Sequence, residues 1–221
     1  MNAANFPIFS VPVSQVNNMN RFFTYAVSVL VVVGLVIAAF IIANEMFGER
    51  IQGTSRTIVG APQIGGPFTL VNEDGQQVTE EDFKGKLMLV FFGYTFCPDV
   101  CPTELNVFSE VMEALGEDAE NVVPVFITVD PDRDTAEVIK EYTDAFHPSI
   151  IGLTGTPEQI THVKKQYRAY GQAVEKEKDP EFYLVDHTSF TYLMGRDGEM
   201  ITVFSYGTKA EEIVANIEKL L

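Results

Sequence analysis

Basic side chains are scarce in this chain: 15 Lys and Arg stand against 31 Asp and Glu, for a formal net charge of -16. Binding to a phosphate backbone rests on clustered Lys and Arg, so the balance argues against a nucleic-acid partner and reads as a solvated acidic surface. Thiols and imidazoles are scarcer still, with two cysteines and three histidines in 221 residues. A structural zinc site takes four protein ligands, and no fourth Cys or His stands near the cysteine pair. No internal repeat and no low-complexity tract is present, which excludes a solenoid or an array. Charge is missing altogether from Phe22 to Ala43, although the chain as a whole is 46% hydrophobic and 21% charged, ordinary for a globular protein.

That uncharged run, "FFTYAVSVLVVVGLVIAAFIIA", is long enough at about 1.5 Å per residue to cross a hydrocarbon layer of about 30 Å. It is too long for a cleaved signal peptide and lacks the small-residue exit such a peptide needs. It also lacks the polar stripe of a buried core helix. Residues 22–43 are therefore read as one transmembrane helix, with 1–21 a short leading segment. Arg21 precedes the span and Glu45 and Glu49 follow it, so the positive-inside tendency favours a cytoplasmic N-terminus and an exported C-terminal domain. The leading segment has no amphipathic basic pattern of a mitochondrial transit peptide. A bacterial inner membrane with the domain in the periplasm fits best.

Residues 44–61 mix Gly, Thr and charges without periodicity and read as a tether. From residue 62 to 221 the pattern alternates. "FTLVNEDGQQVT" is a hairpin turning at Asp74-Gly75, and "KLMLVFFGYTF" is a strand buried on both faces. "PTELNVFSEVMEALG" is a helix with Pro102 suited to its first position, and "VVPVFITVD" is a strand. "TAEVIKEYTDAF" is a helix capped by Thr135, and "IIGLTG" is a strand. "TPEQITHVKKQYRAYG" is a helix opened by Thr156-Pro157 and closed by Gly171. A charged loop, "EKEKDPEFY", leads to "TSFTYLMG" and "MITVFSYG", a hairpin, and to the amphipathic helix "KAEEIVANIEKLL". This order predicts a three-layer α/β domain with a mixed central sheet. Phe91, Phe92, Phe190 and Tyr192 are expected in the sheet core or at its edge.

Cys97 and Cys101 lie in "GYTFCPDVCPTEL", spaced C-x-x-x-C with a proline after each, where a buried strand ends and a helix begins. Backbone amides and the positive end of the helix favour a thiolate there. Spacing alone leaves a disulfide staple, a redox pair and a pair of soft metal ligands open. Of the histidines, His162 reads as solvent-facing and His147 as a cap on helix carbonyls. His187 stands out in "FYLVDHTSF", with Asp186 placed to orient an imidazole. "VDPDRDT" reads as a strand end and helix cap.

Taken together, "GYTFCPDVCPTEL", "VDPDRDT" and "YLVDHTSFTYLMGRDGE", in that order behind one apolar span, resemble the Sco (SenC) family of thioredoxin-like copper chaperones. The resemblance runs from about Val59 to the C-terminus. It implies copper as the bound ion, with Cys97, Cys101 and His187 as ligands. It also implies the copper-receiving subunit of cytochrome c oxidase as partner, in assembly of the dinuclear copper centre. A thiol reductant or another copper carrier is a further partner on this reading. Asp130 and Asp132 match an acidic family motif of supporting role, and Phe96 departs from the family, where many members carry histidine. Two thiolates and an imidazole form a soft set suited to Cu(I). The same sulfurs can close a disulfide in an oxidising compartment when metal is absent.

Two rivals use the cysteines differently. A thiol-disulfide oxidoreductase, reducing the oxidase subunit's cysteines before metallation, needs Cys97 and Cys101 but not His187. A peroxidase needs a Thr and an Arg around one attacking Cys; Thr95 is adjacent, but the bend holds no basic residue. A purely structural disulfide is the remaining reading.

Overall fold

The computed structural model describes residues 63–221 together with Leu30, residues 33–35 and Ile37, all five of which are helical. Backbone contacts divide the chain into one unit up to Gly60 and another from Ala61 to Leu221. The expected transmembrane span, the leading segment and the tether fall almost wholly outside the described residues. Among the described residues, no helix is long and apolar enough to cross a membrane.

The second unit has the thioredoxin-like α/β fold expected, built on a seven-stranded mixed sheet. Its strands are β1 (Thr69–Asn72), β2 (Gln77–Thr79), β3 (Leu87–Gly93), β4 (Val122–Thr128), β5 (Ile151–Thr154), β8 (Thr191–Met194) and β9 (Met200–Phe204). They run in the order β2-β1-β5-β4-β3-β8-β9, with β3, β4 and β5 parallel and the outer neighbours antiparallel. Every residue of β3, "LMLVFFG", is buried, as an unbroken apolar run between two paired strands requires. Phe91, Phe92, Phe108 and Phe126 are fully buried and fill the space around it.

Four α-helices flank the sheet: α1 (Val100–Leu115), α2 (Ala136–Asp144), α3 (Pro157–Tyr167) and α4 (Ala210–Ile217). Helix α1 buries Leu105, Phe108, Val111, Met112 and Leu115, the face its periodicity marks. Thr135 accepts from the Val138 amide at the start of α2, and Thr156 with Gln159 forms a capping box ahead of Pro157 on α3. Pro102 stands third in α1, where its missing N–H is still one of the amides without a helical acceptor.

Other expectations need correction. Helix α3 ends at Tyr167 with Arg168 in the left-handed region at φ 52°, and Gly171 belongs to a strand instead. That strand, β6 (Gly171–Val174), pairs antiparallel with β7 (Leu184–His187) as a separate two-stranded ribbon, joined by the expected charged loop. A Cβ at Gly171 would lie 2.7 Å from the Val129 side chain, so close packing of the ribbon asks for glycine here. Phe190 is 47% exposed and lies outside the core.

Candidate metal centre

The bend that carries the cysteines hangs from the C-terminal end of β3. At Gly93 a Cβ would stand 2.7 Å from Cys101 Sγ and 2.7 Å from the Phe126 ring, so only glycine lets the strand pass beneath the second thiol. Two residues on, Thr95 donates from its hydroxyl to Asp134 Oδ1 at 2.6 Å and from its amide to Oδ2 at 3.1 Å. Asp134 is fully buried and also accepts from the Thr128 hydroxyl at 2.6 Å. It thereby ties the bend to the end of β4 (Asp134 itself is held up in pKa by burial). Cys101 follows in the first turn of α1 and is completely buried, while Cys97 is half-buried. The helix-start amide of Cys101 points at Cys97 Sγ from 3.4 Å.

His187 arrives from the other direction, as the last residue of β7. Side chains alternate along a strand, so Val185 and His187 face the domain while Leu184 and Asp186 face solvent. Asp186 therefore cannot orient the imidazole, contrary to expectation. The carbonyl of Thr188 does so, 2.9 Å from Nδ1. A carbonyl only accepts, so Nδ1 carries a proton and Nε2 is the nitrogen that faces the sulfurs. The ring is wedged edge-on between Phe91 and Tyr94, at centroid distances of 5.9 and 5.6 Å.

Nε2 lies 3.5 Å from Cys101 Sγ and 3.9 Å from Cys97 Sγ, and the three donor atoms all fall within 4.8 Å of one another. A planar three-ligand site with bonds of about 2.3 Å to sulfur and about 2.0 Å to nitrogen would separate S and N by about 3.7 Å. The arrangement thus has the size of a metal coordination triangle. Both cysteines are free thiols rather than a disulfide.

Electrostatics divides the pair. The neighbouring Cys101 thiol, with help from His187 and backbone amides, pulls Cys97 down to about 3 against the effect of burial. Burial, together with the adjacent Cys97 charge, pushes Cys101 strongly up. Burial opposes a charge on His187, but the Cys97 thiolate and the Thr188 carbonyl outweigh it and raise its pKa. One ready thiolate, one shielded thiol and an imidazole whose Nε2 yields its proton when a metal binds make a soft donor set.

The remaining predicted residues lie elsewhere. His162 is exposed, with Nε2 near the Pro67 carbonyl, and His147 bonds Ser149 rather than capping carbonyls. Asp130 accepts from Arg133 Nε and from the Tyr183 hydroxyl, both at 2.6 Å, and Asp132 pairs with Lys176. Neither joins the three donors. Arg133 and Tyr183 were not foreseen. "VDPDRDT" and "FYLVDH" contain them, but only the fold reveals that these two segments meet.

The SCO1/SenC family profile matches residues 56–221. The SCO2-like protein of Rickettsia prowazekii is 42% identical over 152 residues, covering 69% of this chain and 74% of that protein. The mitochondrial SCO1 homolog of Homo sapiens is 39% identical over 171 residues, covering 76% of this chain and 56% of that longer protein. Among solved structures, Bradyrhizobium japonicum ScoI with copper bound superposes with a TM-score of 0.67 at 45% identity, covering 72% of this chain and 99% of that one. Profile, relatives and fold agree, and the chain belongs to the SCO1/SenC family.

Proposed function

We propose that this protein binds one copper ion through Cys97, Cys101 and His187 and delivers it to the dinuclear copper site of cytochrome c oxidase. The observation that carries the reading is the convergence of two sulfurs and one imidazole nitrogen within 4.8 Å, from segments 86 residues apart in sequence. Copper is the cargo, and soft sulfur donors favour its Cu(I) form. Kinship with a ScoI protein solved with copper bound supports the same ion. Three protein donors leave one side of the ion open to a receiving thiol. Cys97, half-buried and anionic, holds the charge that offsets the cation, while the Thr188 carbonyl keeps the imidazole turned toward it. The copper-receiving subunit of the oxidase is the partner. An anchor at residues 22–43 and a tether at 44–61 would hold the domain at the outer face of a bacterial inner membrane.

A second reading, thiol-disulfide oxidoreductase, draws on the division between an anionic Cys97 and a buried Cys101, which suits attack by the first and resolution by the second. Copper stoichiometry of the reduced protein beside His187→Ala decides between them. The chaperone reading expects one copper per wild-type chain and loss of retention in the variant. Thiol exchange and oxidase assembly that survive His187→Ala unchanged favour the reductase.

A further inference from the structure

The ribbon β6–β7 pairs with no strand of the main sheet, yet it must present His187 to sulfurs anchored on that sheet. Something outside the backbone ladder has to fix its place. At its inner end, Thr188 and Tyr170 exchange two bonds, of 3.1 and 2.7 Å. At its outer end the chain enters β7 through Tyr183, and there the contacts converge on one side chain from "VDPDRDT". Arg133 donates from Nη1 to the Tyr183 carbonyl at 3.0 Å and from Nε to Asp130. Its guanidinium carbon lies 3.6 Å from the centre of the Tyr183 ring, and the Tyr183 hydroxyl donates back to Asp130. The guanidinium carbon also lies 4.7 Å from the centre of the Phe96 ring and 5.8 Å from that of Tyr94, both from the cysteine bend. The next residue, Asp134, holds that bend through Thr95.

We infer that Arg133 is a positioning residue for copper binding: with Asp130 and Tyr183 it clasps the histidine ribbon to the cysteine bend and so sets the reach of His187 to the two sulfurs. The inference rests on the copper reading above and deepens it. Arginine suits this place because its planar fork serves a carbonyl, a carboxylate and an aromatic face at once, which a lysine cannot do. Side chains behind a metal ligand typically change affinity by about 10–100-fold when removed, and the clasp reaches His187 through the Tyr94 ring and along β7.

The test compares Cu(I) affinity of the full-length chain in detergent, by competition with a chromophoric chelator, for wild type, Arg133→Met, His187→Ala and the double variant. The clasp predicts that Arg133→Met weakens binding about 10–100-fold and that this loss disappears when His187 is already gone. Wild-type affinity in Arg133→Met, or an equal loss in the His187→Ala background, overturns it while leaving copper binding intact. Tyr183→Phe keeps the stacked ring and deletes one hydroxyl bond. It guards against a folding failure of the first variant, with about a fivefold loss expected in the same His187-dependent manner and no loss counting against the clasp. Nuclear Overhauser contacts between the His187 and Tyr94 rings, read without metal, separate the two ideas. If wild type takes no copper, the functional reading falls, and the clasp still stands or falls on whether Arg133→Met abolishes those contacts.

Discussion

The two halves of the donor set are supported very differently. The cysteine half grows from β3, which has strands hydrogen-bonded on both sides and no exposed residue along its length. The histidine half rides on a two-stranded ribbon whose single buried strand residue is Val185. The first is built like a wall and the second like a latch. On the proposed reading, a site that releases its ion would gain from that asymmetry, because one donor could withdraw without disturbing the fold that holds the other two.

Matched truncations should expose the contrast most strongly. Phe126→Ala, beside Gly93 and Phe91, is expected to lower unfolding free energy by about 3–5 kcal/mol in denaturant titration. Val185→Ala should lower it by only about 1–2 kcal/mol. Equal losses would erase the distinction. Asp134→Ala comes next, at about 3 kcal/mol, since it strands the Thr95 amide and two hydroxyls in or near the interior. A loss below about 1 kcal/mol would mean the cysteine bend is held by something else. Amide hydrogen exchange then sharpens the comparison without mutation. Amides of Leu89 to Phe92 should exchange at least about 100-fold more slowly than those of Gln172 and Asp186, whose ladder bonds open with the ribbon.

The smallest effect is one of pH. Cys97 has its pKa lowered to about 3, so in the reduced, metal-free protein its thiolate persists as pH falls from 8 to 5. Its alkylation rate should change by less than about threefold over that window, whereas an ordinary thiol loses about tenfold per pH unit below its pKa near 8.5. Cys101, raised by burial, remains protonated and unlabelled throughout. A tenfold decline per unit at Cys97 would show that its thiolate is not stabilised.

Much of the wall was legible from residue pattern. Unbroken apolar runs, cap residues and a 3.6-residue period located β3, β4, α1, α2 and the start of α3, because their local preferences and their burial agree. The three donor residues were legible from motifs whose order resembles one family. The latch was not. Strand β6 is four residues long with a glycine at its head, so its local signal reads as a helix stop, and only packing on Val129 reveals a strand. Asp186 was expected to orient the imidazole because it adjoins His187 in sequence, yet alternation along a strand sends neighbours to opposite faces. Arg133 acts on Tyr183 across 50 residues of chain, a distance that no local pattern encodes.

X-ray absorption at the copper edge of the Cu(I)-loaded full-length protein reads the inner shell of the ion itself. Two sulfurs and one imidazole nitrogen are predicted for wild type, with the nitrogen lost and both sulfurs kept in His187→Ala. A wild-type shell of sulfur alone, identical to that of the variant, would contradict a site shared between wall and latch.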